Sequence, residues 1–342
     1  MELLQKVELI DRIAQVYDKS VSCAAPDSDG NMLLEVAYRP RDRQGHGRLF
    51  ASGISIVMPD IELPGGVSRT DGGPWKRHRA ETIQSMPGQL RRTLCGSFLH
   101  DVDCSNSEVR NVCCLARRAG FADCIPTLMD YRDRRDYWLY IISKAHGVAT
   151  DAAKRVVTLI MSGGRYSTWL RDFSGNGKPL PEVLPFATKI TIEVAFLSRV
   201  LPRHADFSWT VAEREFLVQE NAAKKRTLGL SGLEQQLLNR IIQWAEAQVL
   251  GIMHETFHRL GWQVRAKVFD GLMCEKGTRR RDGSLYFSDI HTVSAPPSLS
   301  AVMREAEAAC RLQGWDPVLV EKPFYGKSDD PIEAIKQARR LL

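Results

Sequence analysis

The chain has 342 residues, of which 44% are hydrophobic and 26% charged. That is an ordinary globular composition, long enough for one large domain or two compact ones, and it excludes collagen-like, coiled-coil and mostly disordered chains. Lys and Arg outnumber Asp and Glu by 47 to 41, a net charge of +6 that permits a polyanionic partner.

Leu3, Leu4, Val7, Ile10, Ile13, Ala14 and Tyr17 fall on one helical face. Asn31 to Tyr38 and Gly47 to Met58 read as strands. Residues 54–82 are expected to be an inserted loop, dense in Gly, Pro and charge from 59 to 80, of a length that marks an insertion or a functional flap. A helix is predicted over 86–98, a short strand over 99–103, and a helix from Ser105 to about Ala119. From 124 to 260 the pattern is almost all helix, broken at Gly147, Gly163-Gly164, Gly175 to Pro181, Pro202, and Gly229 to Gly232. After Gly261 the period shortens. Val264 to Phe269 alternates as a strand, Asp270-Gly271 reads as the turn, and Leu272-Met273-Cys274 as a second strand. A helix over 298–312 and a strand over 316–321 follow. The expected class is α+β, with a long helical excursion between two parts of one sheet.

None of the eight cysteines stands in a C-x-x-C pair, so they read as free thiols. The start, Met1 to Lys6, lacks a basic-then-apolar leader, and no apolar run reaches the roughly 18 residues of a spanning helix. The expectation is an intracellular, reducing compartment with no membrane partner.

Three segments carry chemistry. In Asp101 to Arg110 a carboxylate ends a strand just before a helix, a placement that suits Mg²⁺ and equally suits a plain helix cap. In Val268 to Met273 an Asp lies at the tip of an apolar hairpin, as a metal ligand or as an Asp-Gly turn. In Thr150 to Gly164 Lys154 stands in the first turns of a helix that Gly stops, where a triphosphate or only solvent can meet it. Asp101 is set aside as a ligand because it is read as facing away from Asp103.

The order of these segments resembles the palm and fingers of family A DNA polymerases. Their first motif, D-Y-S-Q-I-E-L-R, is matched by Asp103-Cys104-Ser105-Asn106-Ser107-Glu108-Val109-Arg110 in its Asp, Ser, Glu and Arg. Their G-R-L and L-Q-N-I-P are paralleled by Gly47-Arg48-Leu49 and Ile83-Gln84-Ser85-Met86-Pro87, followed by Arg91-Arg92. In their K-x₂-N-F-G-x₂-Y-G helix, Lys154 matches the Lys and Gly163 the last Gly, while Ser162 replaces the Tyr and Thr150 an Arg. Their H-D-E becomes Phe269-Asp270-Gly271. The resemblance is closer still to small divergent polymerase-like proteins of large DNA viruses and mobile elements, through Arg48 to Gly53, Asp103 with Asn106, Gly163-Gly164, and Asp270-Gly271-Leu272-Met273.

The resemblance implies a palm sheet with a large helical fingers insertion. It divides the chain into 1–46, an N-terminal helix and strand; 47–123, the first palm half with loop 54–82; 124–260, the fingers and returning helices; and 261–342, the palm hairpin and a C-terminal subdomain. It implies a template-directed nucleotidyltransferase, a DNA polymerase without a proofreading domain, with primase-like relaxed sugar selection left open by the missing Tyr. Asp103 and Asp270 are the catalytic, metal-holding pair for Mg²⁺, with Mn²⁺ able to substitute. Lys154, Arg155, Glu108 and Arg91 are assigned to the nucleotide. Arg48, Gln84, Arg279, Arg280 and Arg281 are assigned to a DNA or RNA primer-template. Arg110 is expected to brace Glu108 or Asp101.

Basic clusters at Lys76 to Arg79, Arg132 with Arg134 and Arg135, Lys224 to Arg226, and Lys276 with Arg279 to Arg281 fit a nucleic-acid groove. Tyr137, Trp138, Tyr166 and Trp169 are candidates to stack bases. Two other functions stay open. His254-Glu255-Thr256-Phe257-His258 is an H-E-x-x-H pattern that puts two imidazoles on one helix face for Zn²⁺, with Glu255 as base. Val264 stands where a third His is expected. The altered flanks of Asp270 also allow a catalytically inactive, nucleic-acid-binding relic.

Overall fold

The computed structural model describes residues 99–174, 177–224, 229–276 and 296–322, together with the backbone of six short strands outside those ranges. Contacts divide the chain into two units. One comprises Pro40–Leu49 and His100–Lys322, the other Met1–Arg39, Phe50–Leu99 and Pro323–Leu342. Short strands β1 (Tyr38–Pro40), β2 (Leu49–Ala51), β3 (Ser55–Pro59) and β4 (Trp75–Arg79) come first. Strands β3 and β4 pair antiparallel from Ser55 opposite Arg79 to Pro59 opposite Trp75. The stretch expected as an irregular loop therefore contains a strand pair. Ile56-Val57-Met58 is a strong β-former and recruits the charged Trp75 to Arg79 as its partner. The predicted helices over 3–17 and 86–98 lie outside the described residues.

The unit that contains His100–Lys322 holds a four-stranded sheet and the helices packed on it. Strand β5 (Leu99–Cys104) leads into α1 (Ser107–Arg118). Helices α2 (Pro126–Asp133), α3 (Arg135–His146), α4 (Thr150–Met161), α5 (Tyr166–Phe173), α6 (Leu184–Val200), α7 (Thr210–Ala223) and α8 (Leu230–Arg259) follow. Strands β6 (Val264–Val268) and β7 (Gly271–Glu275) form the hairpin, and β8 (Thr278–Arg279) pairs with β9 (Leu285–Tyr286). Helix α9 (Leu299–Leu312) and strand β10 (Leu319–Lys322) complete the described part. The sheet order is β10-β5-β7-β6, with β10 antiparallel to β5 and β6 antiparallel to β7. The architecture is mixed helix and small antiparallel sheet, as the α+β expectation has it.

Burial follows the sequence period. In α4, Ala153, Val156, Val157, Ile160 and Met161 are buried, a stripe at helical spacing. Helix α8 buries residues along nearly its whole length and packs against α1, α6, α7, α9 and the hairpin. Two buried carboxylates tie helices together. Glu213 on α7 pairs with Arg240 on α8 at 3.0 Å. Glu193 on α6 accepts from the backbone N–H of Thr127 at 2.9 Å and Leu128 at 2.7 Å, satisfying the open donors at the start of α2. Among the described residues no helix is long and apolar enough to cross a membrane.

Candidate active site

Asp103 lies one residue from the end of β5, and α1 begins four positions later. Asp270 lies in the hairpin between β6 and β7. The register pairs Val268 with Gly271, so the two-residue turn is Phe269-Asp270 rather than the expected Asp270-Gly271. Phe269 takes the left-handed φ of 57° that such a turn demands. Gly271 is the first residue of β7 and has no positive φ; its lack of a side chain serves space instead. Asn106, which precedes α1, is also left-handed at φ 57°. Left-handed non-glycine residues cost on the order of 1 kcal/mol or more and cluster at functional sites. Here one stands beside each acidic segment.

Neighbouring strands β5 and β7 bring Asp270 beside Asp103. Burial, then the charges of Asp103 and Glu246, push the Asp270 carboxyl up to about 7, while Lys322 acts in the opposite sense. Glu246 comes from α8 and is 2% exposed. The Lys322 ammonium pairs directly with Asp103 Oδ2. Asp101 is buried and lies two residues from Asp103. Strand period two puts both on the same face, which corrects the expectation of opposite faces.

Among the described residues no three His, Cys, Asp or Glu side chains are disposed to hold a metal ion. Asp103 and Asp270 thus offer a two-carboxylate set. That set fits Mg²⁺, which takes one or two carboxylates and completes its shell with water and phosphate oxygens. The ammonium already resting on Asp103 is a cation on the same oxygen.

A cleft of about 90 Å³ is lined by Glu108, Met161, Ser162, Asn239, Ile242, Gln243 and Glu246. Glu108 from α1 and Ser162, which follows α4, thus both line it, and Glu246 links the cleft to Asp270. The Gln243 carbonyl oxygen is buried without a hydrogen-bond partner among the described residues. Gly163 has φ +86°, and a Cβ there would stand 2.6 Å from Gln235 Cγ. Gln235 donates to Met161 O at 2.7 Å and to Asn239 Oδ1 at 3.1 Å, pinning the end of α4 to α8. Lys154 and Arg155 are exposed on α4, two turns before the cleft, and Arg155 lies over the Phe173 ring at 5.0 Å.

Arg110 bonds Asp316, through the backbone carbonyl at 3.2 Å and the carboxylate at 3.3 Å. It braces the approach to β10, not Glu108 or Asp101 as expected. Arg48, Gln84, Arg91, Arg280 and Arg281 lie outside the described residues, and Arg279 is described only as backbone of β8. The basic cluster of α2 and α3 is largely neutralised in place. Arg132 pairs with Asp133 at 2.7 Å and Arg134 with Asp130 at 2.8 Å. Three of the four candidate stacking aromatics are committed elsewhere. Trp138 stacks on Phe186 at 4.0 Å and donates to Asp130 Oδ2; Trp169 is fully buried; Tyr166 bonds His146. Tyr137 is exposed, with Arg134 over its ring at 4.6 Å.

His254 and His258 lie side by side on α8, ring centroids 6.4 Å apart. Burial, then Lys267 and His258, hold His254 below its ordinary range. A neighbouring ammonium opposes a cation at those rings, and no third ligand joins them among the described residues. The six described cysteines are free thiols.

The sequence reading missed Glu246 and Lys322 as members of the acidic centre. Glu246 stands inside a helical repeat and Lys322 at the end of a remote strand, and no local pattern joins either to Asp103.

No family model matches the chain, and no curated protein does. Among solved structures, the chain is similar to the POL domain of Pol1 from M. smegmatis, a complex with DNA primer-template and dNTP. The identity is 13% and the TM-score 0.41, over 92% of this chain and 51% of that one. The chain thus spans about half the length of that domain.

Proposed function

We propose that the protein is a template-directed nucleotidyltransferase with a polymerase-like palm and fingers, adding nucleotides to a primer 3′-hydroxyl. The observation that carries this reading is the meeting of Asp103, near the end of β5, with Asp270, in the turn just before the neighbouring β7, with Gly271 left bare to admit it. Two carboxylates at the ends of the two central strands, beside a cleft and a cationic helix, are the parts that phosphoryl transfer needs. There the protein's work is positioning and charge neutralisation.

Asp103 and Asp270 hold Mg²⁺, or Mn²⁺ in its place, which when bound supplies Lewis acidity at the primer hydroxyl and the triphosphate. Lys154 binds the triphosphate as a point charge, with Arg155 beside it on the same helix and Arg91 as a further contact. Glu108 and Ser162 line the cleft that receives the sugar. Ser162 is smaller than the Tyr of the resembled motif, so sugar selection rests more heavily on Glu108. Arg48, Gln84, Arg279, Arg280 and Arg281 contact the primer-template, a salt-sensitive interaction.

Primer extension on DNA and on RNA templates, with deoxynucleotides and ribonucleotides offered separately, tests this function. Mg²⁺-dependent extension that disappears in Asp103→Ala and in Asp270→Ala is the expected result. Extension that survives both substitutions overturns the reading, as does its absence with every template and nucleotide.

A further inference from the structure

The acidic centre carries its own cation. We propose, resting on the metal-site reading above, that Lys322 is a resident counter-ion: its ammonium holds Asp103 while no divalent ion is bound and gives up that oxygen when one binds.

The fold delivers this lysine. Strand β10 lies against β5 with Val320 opposite Asp103 and Lys322 opposite Asp101. A long side chain at 322 therefore reaches Asp103 across one diagonal step of the ladder, a span that long side chains bridge. The strand beneath it is fixed at several points. Ser105 N–H donates to Val318 O at 2.8 Å, Leu319 N–H donates to Glu307 Oε1 at 2.8 Å, and Arg110 holds Asp316. The backbone is held, while the side chain is a flexible, half-exposed stem.

Charge balance explains why a cation belongs there. Asp103, Asp270 and Glu246 converge, and the Lys322 charge opposes their mutual repulsion at Asp270. Among the described residues, Lys322 is the ion-pair partner of Asp103. Without it a metal-free site holds like charges in a partly buried pocket, an arrangement that disfavours the folded state.

Exposure makes the arrangement reversible. The Lys322 side chain is 46% exposed, against 15% for Asp103. The ammonium is a compact, strongly hydrated charge on a flexible stem and returns to water readily. A divalent ion and an ammonium repel strongly at contact range, so they do not share one carboxylate oxygen. Metal entry is then an exchange of cations, and the lysine lowers the apparent metal affinity while it keeps the empty site in shape.

The test measures Mn²⁺ binding to the full chain, by paramagnetic resonance of the free ion, near neutral pH. Wild type is compared with Lys322→Met, Lys322→Arg and Asp103→Asn. Lys322→Met is expected to tighten Mn²⁺ binding by about tenfold or more, because a repelling charge and a competitor are both removed. Its metal-free melting temperature should fall, and Mg²⁺ should raise that temperature more than in wild type. Lys322→Arg, which keeps the charge, should stay near wild type, an outcome that a packing role for the stem does not require. If Lys322→Met fails to fold, Lys322→Gln carries the same expectation.

Mn²⁺ affinity unchanged or weakened in Lys322→Met, with binding abolished in Asp103→Asn, overturns the counter-ion role and leaves the metal site standing. Binding that Asp103→Asn leaves intact, or no binding by wild type and Lys322→Met alike, overturns the site reading and the counter-ion role with it.

Discussion

Asp103 fills the space that a side chain at Gly271 would need. A Cβ at 271 would stand 3.1 Å from both Asp103 Cα and Asp103 Oδ1, and 2.5 Å from Val102 O. Backbone atoms are among those neighbours, so they cannot simply rotate aside. Gly271→Ala should therefore destabilise the chain by about 1–3 kcal/mol, the usual cost of overpacking, read by urea denaturation. It should also weaken Mn²⁺ binding, because relief of the clash parts β5 from β7.

Removing one carboxylate without changing shape isolates chemistry from folding. Asp103→Asn and Asp270→Asn should each lower primer extension by about a thousandfold or more, a barrier change of about 4 kcal/mol. Circular dichroism of both variants should match wild type.

Asp270 also links stability to pH. Its carboxyl stands at about 7 against an ordinary 3.8, so between those values the folded chain keeps a proton that the unfolded chain has lost. The stability from this group is complete below the ordinary value and is lost as pH rises through about 7. Asp270→Asn abolishes that loss. The metal-free variant should melt above wild type in alkaline buffer, by roughly a few degrees, with the gap narrowing through the acidic range and closing below the ordinary value.

His146 acts in the opposite direction. It is buried, with Nε2 2.6 Å from Tyr166 Oη and Nδ1 3.2 Å from Ser174 Oγ. Burial holds its imidazole below the ordinary 6.5. Its contribution is therefore present above the ordinary value and is lost as pH falls through the lowered one. Imidazole proton resonances followed through an acid titration should show His146 charging after the exposed histidines. His146→Gln should flatten the acid limb of the stability curve.

Glu108 and Ser162 both line the cleft. Glu108→Ala widens the cleft and should reduce discrimination against ribonucleotides by about tenfold, the scale that small pocket changes command. Paired kcat/KM values for a deoxynucleotide and its ribonucleotide measure it.

Much of this arrangement was legible in the residues themselves. The stripe Ala153 to Met161 gives α4, and the alternation from Val264 gives the hairpin, because burial on one face leaves a periodic trace. Asp103 and Asp270 stood out because each ends or turns a strand. What stayed hidden depends on contacts distant in the chain. Glu246 reads as one more polar residue of a helix until α8 is laid against the hairpin. Lys322 reads as the end of a strand until β10 pairs with β5. Gly271 looked like a turn residue because Asp-Gly is a common turn, whereas the constraint on it comes from Asp103 on a neighbouring strand. Trp138 and Trp169 looked available for stacking, and tertiary packing claimed them.

Glu193 has a consequence for how the helices come apart. Its carboxylate serves two amides at the head of α2 from a helix that begins some fifty residues downstream of that helix's end. Neither helix can melt alone without stranding a buried charge or open donors, so α2 and α6 should open as one cooperative unit. Amide protons of Thr127 and Leu128 would then exchange with solvent only as fast as those of α6.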